Sequence, residues 1–187
     1  MNTILRLLRP GLLAIVSLAL ATTVWAQSTM VRLHTTQGAI DIQLYDTAAP
    51  KTVANFLSYV RSGAYTDNFI HRSIPGFVVQ LGGYAWPASG YAGHITTFPP
   101  VVNEFSVARS NVRGTVAMAK LGGDPNSATS EFFFNLVNNA ANLDTQNGGF
   151  TVFGRVTTPG MAVVDRIAAL GTVNAGRAFT NLPVVNF

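Results

Sequence analysis

The dipeptide Pro75-Gly76 constrains this chain more than any other feature. Phe69-Ile70-His71-Arg72-Ser73-Ile74 precedes it, Phe77-Val78-Val79-Gln80-Leu81 follows it, and Gly82-Gly83 ends the stretch. Proline presets φ for a turn, and glycine accepts the left-handed backbone that tight turns need. The flanking runs are β-branched and aromatic, so the chain is expected to fold back as a pair of antiparallel strands. A turn centred near Gly76 sets Arg72 opposite Gln80. A guanidinium and an amide then emerge side by side from an apolar surface, with Phe77 beside them. Such a surface suits a substrate that is apolar in its side chains and polar in its backbone.

The rest of the chain supplies partners for that hairpin. Val31 and Leu33 alternate with Arg32 and His34. After Thr36-Gln37-Gly38, Ile40, Ile42 and Leu44 alternate with Asp41, Gln43 and Tyr45. Period two marks a half-buried hairpin. From Pro50 the period changes, with Val53, Phe56, Leu57 and Val60 on one helical face, Thr47 as a capping candidate and Gly63 as a stop. Residues 82–110, rich in glycine and proline, read as a long ordered loop of the kind that usually carries function. Strands are expected over Asn111–Lys120, Glu131–Val137, Phe150–Val156 and Leu182–Phe187. A second helix is expected with Thr158 as N-cap, Pro159 in the first turn and Gly171 beyond its end. About eight short strands separated by Gly/Pro turns point to a mainly β fold, a closed antiparallel barrel capped by two helices, because closure removes exposed edges.

The N-terminus reads as an export signal over residues 1–26, leaving 27–187 as one domain. Arg6 and Arg9 precede the apolar run Gly11–Ala21, which is far shorter than the roughly 20 residues of a membrane span. Val24-Trp25-Ala26 offers a cleavage site, the alternative being an uncleaved anchor. The expected location is therefore the periplasm or the exterior, with no stable membrane insertion after cleavage. The net charge is +4, but Arg6 and Arg9 leave with the signal, and the remaining ten basic residues stand scattered against eight acidic ones. That pattern lacks the clustered basic face of a nucleic-acid binder. Absence of cysteine excludes disulfides, thiol catalysis and cysteine-zinc sites together. His34, His71 and His94 lack ligand spacing, and Asp41, Asp46 and Asp144 form no carboxylate pair, so neither a metal nor a cofactor is expected.

The motif Phe69-x-His71-Arg72-x-Ile74-Pro75-Gly76-Phe77-x-x-Gln80-x-Gly82-Gly83 resembles the signature of the cyclophilin-type peptidyl-prolyl cis-trans isomerases. Gly114-Thr115-Val116-Ala117-Met118-Ala119, Ser127-Ala128-Thr129-Ser130-x-Phe132-Phe133, and Leu143-Asp144 followed by Val152-Phe153-Gly154 are similar to three further family segments in order. The similarity runs from about Val31 to Val185 and is nearest to the exported bacterial members. It implies an eight-stranded barrel with two helices, acting as a monomer on proline-containing unfolded or extended polypeptides. It implies Arg72 and Gln80 as catalytic residues. Phe77, Val78, Glu131, Phe133, Leu143 and Phe150 then line the substrate site, and Met118-Ala119, continuing into Lys120, is the strand that meets the peptide. Glu131 stands where the family usually has glutamine and could pair with Arg72. Asn142 stands where it usually has an aromatic, which predicts weak binding of the family's cyclic-peptide inhibitor, cyclosporin.

These residues suit the chemistry. The X-Pro barrier of roughly 18–20 kcal/mol is amide resonance, and it falls when a donor draws the prolyl nitrogen lone pair away from the carbonyl. A guanidinium is always charged and presents a rigid fork of donors, so no nucleophile, base or metal is needed. Two other readings stand beside this one: a proline-peptide-binding module with little or no turnover, and a barrel that binds an unrelated small ligand.

Overall fold

Alternation over the first strands is borne out in a computed structural model describing residues 28–87 and 90–185. β1 (Met30–Thr35) and β2 (Gly38–Leu44) pair antiparallel and send Ile40, Ile42 and Leu44 into the core. The export signal expected over 1–26 lies outside the described residues, as does the end of the strand expected to reach Phe187.

Helix α1 (Pro50–Arg61) begins at the proline and buries Val53 and Phe56. Its cap differs from the expected one. Thr47 does not serve; instead Glu104, from the long 82–110 segment, accepts the Thr52 N–H at 2.7 Å and the Lys51 N–H at 3.2 Å. A carboxylate at a helix N-terminus satisfies free donors and complements the dipole. No local pattern marks it, because the two partners are over fifty residues apart in sequence.

β3 (Arg72–Ile74) and β4 (Val78–Leu81) follow, then a small hairpin of β5 (Tyr84–Ala85) and β6 (Gly93–His94) inside the supposed loop. β7 (Thr115–Met118) and β8 (Phe132–Asn135) are fully buried strands. A short helix α2 (Ala140–Leu143), not anticipated from the sequence, and a 3-10 turn at Gln146–Gly148 lead to β9 (Val152–Val156). Helix α3 (Thr158–Ala168) starts one residue earlier than expected, with Thr157 at the N-cap position and no side-chain capping bond. β10 (Thr172–Val173) and β11 (Leu182–Pro183) pair near the C-terminus.

Seven strands form one antiparallel sheet in the order β1-β2-β9-β7-β8-β4-β3. It curls strongly around Phe56, Phe132, Phe134 and Phe153, with Val163, Val164 and Ile167 of α3 completing this core. The fold is mainly β as expected, but the barrel is not fully closed. β1 and β3 are its edges, and β3 meets the C-terminal segment through the Ser73 N–H and the Asn181 carbonyl, 2.8 Å apart. A cavity of about 770 Å³ lies by that seam, lined by Val31, Leu33, Leu81, Phe132, Leu182 and Pro183. Arg72, Gln80, Phe77 and Phe133 do not line it.

Candidate active site

The Pro75-Gly76 turn produces the expected register. Gly76 takes φ +73°, and Arg72 pairs with Gln80 across β3 and β4. The Arg72 Nη1 donates to Gln80 Oε1 at 3.1 Å, and the guanidinium carbon lies 5.8 Å from the centre of the Phe77 ring. Burial pulls the Arg72 pKa down from its ordinary value, yet a guanidinium so far above neutrality stays charged.

Strand alternation then sorts the aromatic run of β8. Phe132 and Phe134 enter the main core, while Phe133 turns to the other face, opposite Gln80 on β4 and Ala117 on β7. There it joins Val78, Leu143 and Val152 in a second apolar cluster, with Phe77, Ala119 and Phe150 packed on its half-buried side. Phe133 and Phe150 meet edge to face at 5.9 Å. Lys120 reaches over the Phe150 ring at 4.9 Å and donates to the carbonyls of Asn147 and Gly149, which pins the preceding turn.

The structure brings together Arg72, Gln80, Phe77, Val78, Phe133, Leu143 and Phe150. Met118 differs. Its parity on β7 sends the side chain into the main core, 1% exposed, so only Ala119 of that pair presents a side chain here. The Ala119 N–H is already donated to the Glu131 carbonyl at 2.9 Å, so a peptide does not receive that bond.

Glu131 does not bond to Arg72. Gln80 lies between them, donating its Nε2 to Glu131 Oε2 at 2.7 Å. The reason is that the carboxylate is held from behind. His71 Nε2 is 3.5 Å from Oε2, and His94 Nε2 is 3.6 Å from Oε1. Burial opposes ionisation of Glu131, but the close approach of His71, the hydrogen bond from Gln80 and the electrostatic pull of both histidines outweigh it, and its pKa is lowered. His71, which strand alternation sends to the opposite face from Arg72, is buried and reaches the site through this carboxylate. His94 lies in the supposed loop; a Gly-His pair between Ala92 and Ile95 is too weak a signal to find it. Among the described residues no group of three metal-ligating side chains is placed to hold an ion.

Beneath the apolar cluster runs a buried amide network. Asn135 Nδ2 donates to Thr115 Oγ1 at 2.9 Å and to Asn111 Oδ1 at 3.2 Å, and Asn139 Nδ2 donates to Asn135 Oδ1 at 2.8 Å. Its ends hold the pocket walls: Asn139 also donates to the Phe77 carbonyl at 3.0 Å, and Asn111 to the Phe150 carbonyl at 3.0 Å. Asp144, next to Leu143, accepts from Ser110 and Asn111. Burial pushes the Asp144 carboxyl up, but those hydrogen bonds outweigh it and its pKa is lowered. A lowered folded pKa means stability that is complete above the unfolded value, near 4, and is lost as pH falls through the folded one. Asp144→Asn is therefore expected to flatten the acid side of a melting-temperature profile while lowering the plateau at neutral pH.

A family model described as cyclophilin type peptidyl-prolyl cis-trans isomerase/CLD matches residues 30–187. The chain belongs to this family. The cyclophilin is 43% identical over 158 residues to peptidyl-prolyl cis-trans isomerase A of Dickeya dadantii (strain 3937), covering 83% of this chain and 79% of the relative. It is 40% identical over 151 residues to peptidyl-prolyl cis-trans isomerase B of Escherichia coli (strain K12), covering 79% and 88%. A Cryptosporidium parvum cyclophilin crystallised in the presence of the dipeptide Ala-Pro shares its fold at a TM-score of 0.66 and 23% identity, covering 83% of this chain and 92% of that one. The enzyme class read from the motifs, a cyclophilin-type peptidyl-prolyl cis-trans isomerase, thus stands on the family match and on relatives at 40–43% identity.

Proposed function

We propose that this cyclophilin isomerises X-Pro bonds during the folding of exported polypeptides, as a monomer and without metal or cofactor. One observation carries the reading: the Arg72 guanidinium is fixed by Gln80 and Phe77 at the edge of the Phe133–Leu143–Phe150 cluster. The proline ring rests on that cluster. Arg72 donates to the prolyl nitrogen as it pyramidalises, which removes double-bond character from the C–N bond while the other side of the bond rotates. Gln80 holds the substrate backbone. A thousandfold acceleration needs only about 4 kcal/mol of differential stabilisation, within reach of one preorganised charged donor. A neighbour crystallised with Ala-Pro supports proline-peptide binding. The alternative of a binding module without turnover draws on Glu131 and Asn142; the Gln80 bridge keeps Glu131 off Arg72, which leaves that alternative with Asn142 alone.

Export is supported by Arg6 and Arg9 ahead of Gly11–Ala21, followed by a small residue at Ala26. The test joins both parts. The full chain, expressed in a Gram-negative host, is recovered from the periplasm with Gln27 at its N-terminus, and that material accelerates a protease-coupled X-Pro peptide assay. Recovery in the cytoplasm with residues 1–26 intact defeats the export part; peptide isomerisation at the uncatalysed rate defeats the enzymatic part.

Asn142 tests the pocket rim. It is exposed on α2 and accepts from the Gln146 side-chain amide rather than covering apolar surface. Asn142→Trp adds an aromatic face beside Leu143 and is expected to tighten cyclosporin inhibition about tenfold, read as the inhibitory constant in the peptide assay.

A further inference from the structure

Arg72 carries only donors and an ionised carboxylate only acceptors, so an amide bridging them has one possible orientation. Gln80 must turn Oε1 to Arg72 and Nε2 to Glu131, and the bonds at 3.1 and 2.7 Å are so arranged. A direct Arg72–Glu131 pair would instead engage the guanidinium fork that the prolyl nitrogen needs. Several contacts keep the carboxylate out of that position. His71 and His94 hold one oxygen each, at 3.5 and 3.6 Å. The Tyr84 ring packs against both imidazoles, at 4.9 and 4.7 Å between centres. Gly83 leaves room, since a Cβ there would collide with the Glu131 carboxylate. His71 Nδ1 is buried without a partner, and Nε2 is the ring nitrogen that faces the carboxylate.

We propose that Glu131 is a positioning residue: anchored by His71 and His94, it locks the Gln80 amide and through it one arm of Arg72, leaving the rest of the guanidinium to the prolyl nitrogen. The proposal rests on the isomerase reading of Arg72. The anion also polarises the Gln80 amide, which makes Oε1 a better acceptor for Arg72. A glutamine at position 131 is both donor and acceptor, so it meets Gln80 through either of its own atoms and leaves the orientation of the Gln80 amide to Arg72 alone.

The groups facing Glu131 are His71 ahead of β3, Gln80 on β4, Tyr84 on β5 and His94 on β6, with Arg72 beyond Gln80. The experiment is a protease-free isomerisation assay of the mature protein from pH 8 down to the acid limit of folding, below the ordinary carboxylate range, with folding of every variant checked by melting temperature at each pH. Glu131→Gln is expected to lower kcat about tenfold with KM within about twofold, because looser positioning of a catalytic donor costs turnover rather than binding. Wild-type kcat is expected to fall in the acid range as Glu131 takes a proton, and that fall is absent in Glu131→Gln. His94→Ala removes the more exposed anchor, is expected to cost about threefold in kcat, and carries the test if Glu131→Gln fails to fold. An unchanged or raised kcat in Glu131→Gln, a loss appearing in KM alone, or an acid limb that persists in it overturns the proposal. If Arg72→Ala is as active as wild type, the isomerase reading fails first; dependence on Arg72 without dependence on Glu131 defeats only this inference.

Discussion

Replacing Arg72 by alanine is expected to lower kcat/KM for an X-Pro peptide by about 10²–10³-fold, the scale set by removing one preorganised donor from a developing charge. The loss should fall mainly on kcat. The proline ring still finds Phe133 and Leu143, which pack with Val78, Ala117 and Val152 rather than with the guanidinium. Arg72→Lys should recover little, because an ammonium cannot bond Gln80 and the prolyl nitrogen with the same planar fork. Both variants should melt within a few degrees of wild type, since Arg72 is half-buried and its side chain bonds only Gln80 in the folded protein among the described residues. Stopped-flow measurement of kcat and KM, with calorimetry on the same samples, checks both halves. A tenfold or smaller loss with intact folding would leave Arg72 as a substrate clamp and move the catalytic stabilisation elsewhere.

The hairpin that carries Arg72 was legible in the sequence because all its determinants are local. Pro75-Gly76 fixes the turn, and a turn fixes register, so Arg72 opposite Gln80 follows without knowledge of the rest. Period-two alternation likewise fixed which residues of β1 and β2 enter the core. Phe133 was different: parity alone splits Phe132-Phe133-Phe134 onto alternating faces, but does not say which face is the pocket. The family resemblance supplied that. Parity on β7 likewise places Met118 and Ala119 on opposite faces, so only one side chain of that pair can meet the site.

What escaped the sequence was nonlocal and polar. Glu104 caps a helix over fifty residues away, His94 reaches Glu131 from a hairpin two residues per strand long, and Asn111, Asn135 and Asn139 meet only because three elements converge. Polar side chains have no periodic signature of the kind that apolar burial imposes. Closure failed for a related reason. Strand number was read from local patterning, whereas closure needs β1 to find a partner beyond β2, and the β1 pattern is the same whether that partner exists or not.

Asn135→Ala is expected to destabilise the protein by about 3–5 kcal/mol, which is large for a polar residue. Asn135 is fully buried, and its removal strips a partner from Thr115 Oγ1, Asn111 Oδ1 and Asn139 Nδ2 at once. Each buried group left unsatisfied costs about 1–3 kcal/mol, less where a second bond remains, as for Asn139 with the Phe77 carbonyl. For a domain of this size the melting temperature should fall by about 10 °C. Asn135→Asp should be no better: it keeps an acceptor for Asn139 but loses both donors and sets a carboxylate against Asn111 Oδ1. The site should feel the change as well. Asn139 and Asn111 hold the carbonyls of Phe77 and Phe150, so both walls loosen and KM for a proline peptide should rise several-fold at temperatures where the variant is still folded. A double-mutant cycle with Asn139→Ala separates this from simple loss of packing. Residues in one network should couple by about 1 kcal/mol or more, whereas additivity would show that Asn135 acts alone. Activity that tracks the folded fraction with no change in KM would make the network structural only.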